Sequence, residues 1–312
     1  MRDAGDIDAP PPVHDAERDG IKIKRDADYF RKLEGAAGSW QSENKPSGFY
    51  TVDLPDDLPV AIALTSDWHV GAKATAYATL RDHVGMLAVA PGVYVVTAGD
   101  LIHNHKRQRK SGVALYDTMA SPDEQDQWLD LIAAPLLQSK RIIGVVRGNH
   151  EGFDLDEGGR DVAAAWCERH ALRYWGNGGT IRFSLGANRY YGAIRHQYPG
   201  ASALNTSNNM RRLYDGLTRP TEAAHLDFIS LGHLHYNDQH VVHRPAGECH
   251  YLRAGAYLEY NDWADEKFGA WKTTPGVPIV ILNPRTHEVI SFRGNRLALA
   301  LRVLAMMREE AT

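Results

Sequence analysis

Five short stretches place metal-binding side-chain types directly behind aliphatic runs: SDWHVG (66–71), AGDLIHN (98–104), RGNHEG (147–152), AIRHQYPG (193–200) and LGHLHYN (231–237). Between them they supply the carboxylates of Asp67 and Asp100, the amide of Asn149, and the imidazoles of His69, His196, His233 and His235. Nitrogen and oxygen donors without thiolates suit divalent Mn, Fe, Zn, Ni or Mg. In extended chain, residues two apart project to the same side, so His233 and His235 can each face a metal. Gly232 before them lets the backbone turn and approach closely without a Cβ. Singly, a D-x-H, a G-D or an H-x-H is ordinary punctuation. Five such pieces in order, each ending an apolar run, are not.

The elements that must position these groups are legible around them. VAIALTSD (60–67), GVYVVTAGD (92–100) and RIIGVVRGN (141–149) read as buried strands. ATAYATLRDHVGML (74–87) and GRDVAAAWCERHA (159–171) read as helices. SPDEQDQWLDLIAAPLLQ (121–138) adds an N-cap serine, Pro122 at the first helical position and acids in the first turn. Strands alternating with helices predict a parallel sheet, and groups beyond the carboxyl ends of its strands converge in one crevice. TIRFSLG, NRYYGAIRHQ, DFISLGH, QHVVHR, CHYLRAG and VPIVILNP follow, and predict a second, largely mixed sheet packed on the first. GNRLALALRVLAMMREE (294–310) is apolar over most of its circumference and predicts a buried or partner-bound helix. The expected organisation is a flexible N-terminal extension and linker over 1–48, one domain over 49–293 and a C-terminal helix over 294–312.

Composition narrows the class. The chain has 312 residues, 43% of them hydrophobic, enough for a sizeable core. A net charge of −4 argues against a protein that coats nucleic acid over its whole surface. Cys167 and Cys249 stand alone without a CxxC, so no disulfide framework is expected. The acidic, proline-bearing N-terminus has no apolar core of a signal peptide, and no run of 18 apolar residues occurs; a cytoplasmic protein without a membrane span is expected.

The ordered set D-x-H, G-D, G-N-H-[DE], H and G-H-x-H resembles the calcineurin-like metallophosphoesterase superfamily over residues 60 to about 240. The resemblance implies a four-layer α/β/β/α sandwich of two mixed sheets flanked by helices, with two divalent metal ions, Mn²⁺ first among them. It implies that Asp67, His69, Asp100 and His235 hold one metal, and that Asp100, Asn149, His196 and His233 hold the other. His150 is implied as general acid while a metal-bridging hydroxide attacks phosphorus. GDLIH and the HQ at 196–197 look like the DNA double-strand-break repair nucleases of the superfamily, where a histidine in the place of His103 assists diester cleavage. RGNHE, with Arg147, is shared with the serine/threonine phosphatases, whose second motif departs from GDLIHN. The expectation is a phosphodiesterase acting on nucleotides or nucleic acid, with a phosphomonoesterase as the rival and a degenerate scaffold a distant third. Little more than 70 residues follow His235, so a dedicated ATPase partner is not expected.

Two features could reach substrate. Lys106, Arg107, Arg109 and Lys110 form a basic cluster that could meet flanking phosphates, or merely be a solvated loop. Tyr251, Tyr257, Tyr260, Trp263, Phe268 and Trp271 could stack bases, but packing against the second sheet is the favoured reading.

Overall fold

The computed structural model describes residues 17–18, 21–22, 31–32, 34–35, 48–104, 117–153, 159, 161–200, 205–218, 225–259 and 273–312. The chain divides into two units, Met1–Ser47 and Gly48–Thr312. In the first, β1 (Glu17–Arg18) and β2 (Ile21–Lys22) pair antiparallel, with Glu17 opposite Lys22.

The second unit holds two mixed sheets. In the five-stranded sheet, β4 (Val60–Thr65), β5 (Val93–Ala98) and β6 (Ile142–Val146) run parallel. β12 (Ile279–Leu282) lies antiparallel beside β4, and β13 (Val289–Phe292) antiparallel beside β12. The six-stranded sheet has the order β10 (Asp238–Arg244), β11 (Gly247–Arg253), β9 (Phe228–Leu231), β8 (Asn188–Arg195), β7 (Gly179–Leu185) and β3 (Phe49–Leu54). So β12 joins the first sheet rather than the second, where the sequence order of strands had placed it. All four of its residues are fully buried, and a strand covered on both faces fits a sheet interior.

Period-two alternation explains the layers. Along β4, Val60, Ile62 and Leu64 face the other sheet and pack with Ile181, Phe183 and Phe228, while the small Ala61 and Ala63 face helices. Against that outer face lie α1 (Tyr77–Val89), α2 (Pro122–Gln138), α3 (Val162–Arg169) and α5 (Leu297–Ala311), through residues such as Leu80, Leu129, Trp166 and Leu304. α4 (Asn208–Thr218) covers the outer face of the six-stranded sheet with Met210, Leu213 and Tyr214. The result is the expected α/β/β/α sandwich, with each fully buried large apolar side chain contributing about 1.5–3 kcal/mol.

Helix ends follow their sequences. Ser121 caps α2 in a full capping box with Glu124, and Asp161 accepts the Ala164 N–H at the start of α3. α5 buries one stripe, Leu297, Ala300 and Leu304, and leaves Met306 59% exposed, so of the two expectations for this helix burial holds for that stripe alone. Among the described residues no helix is long and apolar enough to cross a membrane.

Candidate metal centre

Every donor group sits just past the carboxyl end of a strand. Asp67 and His69 follow β4, Asp100 follows β5 and Asn149 follows β6; His196 follows β8, and His233 and His235 follow β9. The first three strands belong to one sheet and the last two to the other, so the site lies where both sheets end.

Two clusters result: Asp67, His69 and His235, and Asp100, His196 and His233, each with ligand atoms within 4.8 Å of one another. In the first, His69 Nε2 and His235 Nε2 are 3.1 Å apart, and His235 Nε2 is 3.3 Å from Asp67 Oδ1. In the second, His196 Nε2 lies 3.1 Å from Asp100 Oδ2 and 2.9 Å from the side-chain oxygen of Asn149. His233 and His235 each face a cluster, but not from the extended chain that their spacing suggested. The strand stops at Leu231, both histidines have positive φ (70° and 58°), and each joins a different cluster. Asp67, His69 and Asp100 also lie in the left-handed region, at φ 53°, 48° and 52°. Left-handed backbone is unfavourable for residues with a Cβ and is kept where the surroundings over-determine it.

Close packing supplies that constraint. A Cβ on Gly232 would stand 2.2 Å from Ser66 Oγ and 2.6 Å from Asp67 Oδ2. That closeness lets the His233 N–H donate to the Asp67 carboxylate at 3.0 Å. A Cβ on Gly148 would stand 2.1 Å from Asp100 Oδ1, the oxygen that accepts the His150 N–H at 2.9 Å.

These residues fit a pair of divalent cations. Asp100 Oδ2 is buried with His196 Nε2 at 3.1 Å and no other hydrogen-bond partner among the described residues. His196 Nδ1 donates to the Ala98 carbonyl at 2.8 Å, which turns Nε2 towards Asp100 and Asn149, the orientation typical of metal-binding histidines. Charges follow from burial and neighbours. Burial alone would raise the Asp100 carboxyl, but His196 and His150 outweigh it and hold it well below the usual carboxylate range. Burial also opposes a charged His196, yet Asp100 pushes that imidazole up to about 10. Burial, with His196 beside it, lowers His233 to about 4, and burial with His150 keeps His69 well below its ordinary value.

A third group of His69, His103 and His150 adjoins the first cluster. His103 Nδ1 is 3.4 Å from His69 Nδ1, and His150 Nδ1 faces the His103 carbonyl oxygen. A carbonyl only accepts, so Nδ1 carries the proton and Nε2 is left towards the site, 3.8 Å from Asp100 Oδ2. Arg147 lines the adjoining cavity but is paired with Asp161 at 3.1 Å and with Asn177 at 2.7 Å. Lys106, Arg107, Arg109 and Lys110 lie outside the described residues, as do Tyr260, Trp263, Phe268 and Trp271. Tyr251 and Tyr257 are core residues, each 1% exposed.

Sequence reasoning passed over the residues that hold these loops. The buried Glu151 carboxylate accepts the N–H groups of Gly148 (2.8 Å), Asp100 (3.0 Å) and Leu101 (2.6 Å), tying the second motif to the third. Burial and the nearby Asp100 raise its pKa to about 7. Asn104 donates to the His150 carbonyl at 2.9 Å, and its own N–H reaches Gln125 of α2. Asn237 donates to the Thr274 carbonyl and accepts the Gly255 N–H. Glu151 had a signal, an acid directly after Asn149 and His150 in a strand-end motif; Gln125 had none.

A profile of the family described as Calcineurin-like phosphoesterase matches residues 60–282. No curated protein sequence matches the chain. Among solved structures the chain is similar to Vps29 of Chaetomium thermophilum, 11% identical at a TM-score of 0.36, over 75% of this chain and 93% of that one. It is similar to the calcineurin-like phosphoesterase YfkN of Bacillus subtilis, 11% identical at 0.40, over 82% and 99% of the two chains. It is also similar to the nuclease MPE of Pseudomonas putida, 16% identical at 0.29, over 74% and 87%. Likeness at that level brings no substrate with it. The profile spans β4 to β12, from the first strand that ends in a donor to the strand paired beside it, and this chain belongs to the calcineurin-like phosphoesterase family.

Proposed function

We propose that the chain is a phosphodiesterase that hydrolyses nucleotide or nucleic-acid diesters, with Asp67, His69, Asp100, Asn149, His196, His233 and His235 holding two divalent cations, Mn²⁺ by preference. Such a pair, when bound, lowers the pKa of a shared water and neutralises charge on the phosphoryl oxygens. The rest of the reading concerns the chain's own groups.

The observation that supports it best is the His69–His103–His150 triangle. Hydrolysing a phosphoester of an ordinary alcohol, a diester among them, expels an alkoxide that needs a proton as it leaves. His150 Nδ1 is satisfied by the His103 carbonyl, so a second proton on Nε2 has one direction to go, into the site. His103 sits buried between His69 and the acid, and both orients His150 through its carbonyl and adds a second imidazole at the reacting end. Asn149 contributes an oxygen without a negative charge, which keeps the cluster attractive to an anionic ester.

The test is a comparison of bis-p-nitrophenyl phosphate with p-nitrophenyl phosphate on protein reconstituted with Mn²⁺. A preference in kcat/KM for the diester is expected. A strong preference for the monoester would make the protein a phosphomonoesterase on the same site.

A further inference from the structure

The cavity beside the centre, of about 780 Å³, opens on Asn149, His196 and His233 and extends to three arginines, Arg147, Arg195 and Arg253. That volume is of small-molecule size. It is larger than a single phosphoryl group needs.

The three guanidinium groups differ in what already satisfies them. Arg147 is neutralised by Asp161. Arg253 is 1% exposed; it donates to the carbonyls of Gly232 and Thr206 and to Asn209, lies over the Tyr236 ring, and has no carboxylate within ion-pair distance among the described residues. Its hydrogen-bond contacts are neutral acceptors, and Asp238 and Asp67 act on its charge only from beyond ion-pair distance. The Arg195 side chain makes no hydrogen bond or ion pair with any described residue, and its Nε is buried without a partner among them. Burying part of a guanidinium without an acceptor is unfavourable unless an anion arrives to take it. Arg195 lines the same cavity as His196 and His233, which brings this uncommitted charge to the space beside the centre.

We propose that Arg195, in the field of Arg253, is the anchor of a second anionic subsite, so that the substrate is a compact phosphoester bearing a further phosphate beyond the one hydrolysed. This rests on the phosphoester reading of the centre and narrows its substrate. The planar guanidinium of Arg195 binds two oxygens of that phosphate at once, and Arg253 contributes long-range attraction while remaining bound to its own acceptors.

The test uses binding, so that it does not depend on which ester is cleaved. Alkane α,ω-diphosphonates with two to five methylenes are titrated calorimetrically into the Mn²⁺-reconstituted protein beside the alkylphosphonates of matching length; their C–P bonds are not hydrolysed. At least one diphosphonate is expected to bind about tenfold tighter than its monophosphonate. In Arg195→Ala that gain falls to within about twofold while metal content is unchanged, and Arg195→Lys keeps part of it. Equal binding of every matched pair, or a gain that survives in Arg195→Ala, would overturn the subsite. Failure of the diesterase reading registers separately, as absent bis-p-nitrophenyl phosphate hydrolysis.

Discussion

Glu151 and Asp100 are joined through the backbone: the Asp100 N–H donates to Glu151 Oε2 at 3.0 Å, while the same carboxylate takes the N–H of Gly148. One acid therefore sets the spacing between two donor-bearing loops without pointing at the centre itself.

Removing it should be felt in metal uptake before chemistry. Glu151→Ala leaves three buried N–H groups without acceptors and should destabilise the fold by about 3 kcal/mol. Urea unfolding of the chelator-treated protein measures the loss, and metal analysis should show reduced occupancy. Glu151→Gln, which keeps an oxygen acceptor, should fall between.

His150 and His103 separate by substrate. His150→Ala should lower turnover by roughly two to four orders of magnitude with metal content intact, the usual range for a general acid. His103→Ala should reduce hydrolysis of a diester with an alkyl leaving group more than hydrolysis of an activated monoester, whose leaving group needs no proton. Equal losses on both would leave His103 with only an orienting part.

The centre should exchange protons for metal. Asp100 raises His196 to about 10, so at pH 7 the metal-free imidazole carries a proton that a cation must displace. Calorimetry in buffers of different ionisation heat should register about one proton released, and apparent affinity should fall about tenfold per pH unit lowered below that value. The sign for metal-free stability follows. A raised histidine contributes stability that is fully present below its ordinary value of 6.5 and is lost as pH rises through about 10. The lowered Asp100 loses its share only in strong acid. Chelated protein should therefore weaken from pH 7 towards 10 by thermal unfolding.

Gly232→Ala tests the close approach of the last motif. The new methyl meets Ser66 Oγ and Asp67 Oδ2 well inside contact distance, and the strand–loop junction must move. Destabilisation of about 2 kcal/mol is expected, with loss of metal from the Asp67 cluster. Circular dichroism and metal analysis would show the two effects together.

The strand ends were readable because polar residues break a continuous apolar run there, as Ser66 and Asp67 do after Val60–Thr65. What β12 pairs with was not readable: a strand apolar on both faces fits either sheet equally well. α4 escaped notice because only four of its residues, Asn209, Met210, Leu213 and Tyr214, are buried among polar ones. Nor was the backbone of His233 and His235 legible, since sequence rules reserve left-handed conformation for glycine. The acid at Glu151 lay inside a recognised motif, but its task is set by amide groups brought from fifty residues away.

The five donors with positive φ carry one more implication. Each holds a backbone shape that disfavours any side chain by about 1–2 kcal/mol. Glycine at His235 would relax the loop while erasing a ligand, so durability and catalysis are opposed at these positions. A selection for heat resistance alone should drift towards a sturdier, inert sandwich.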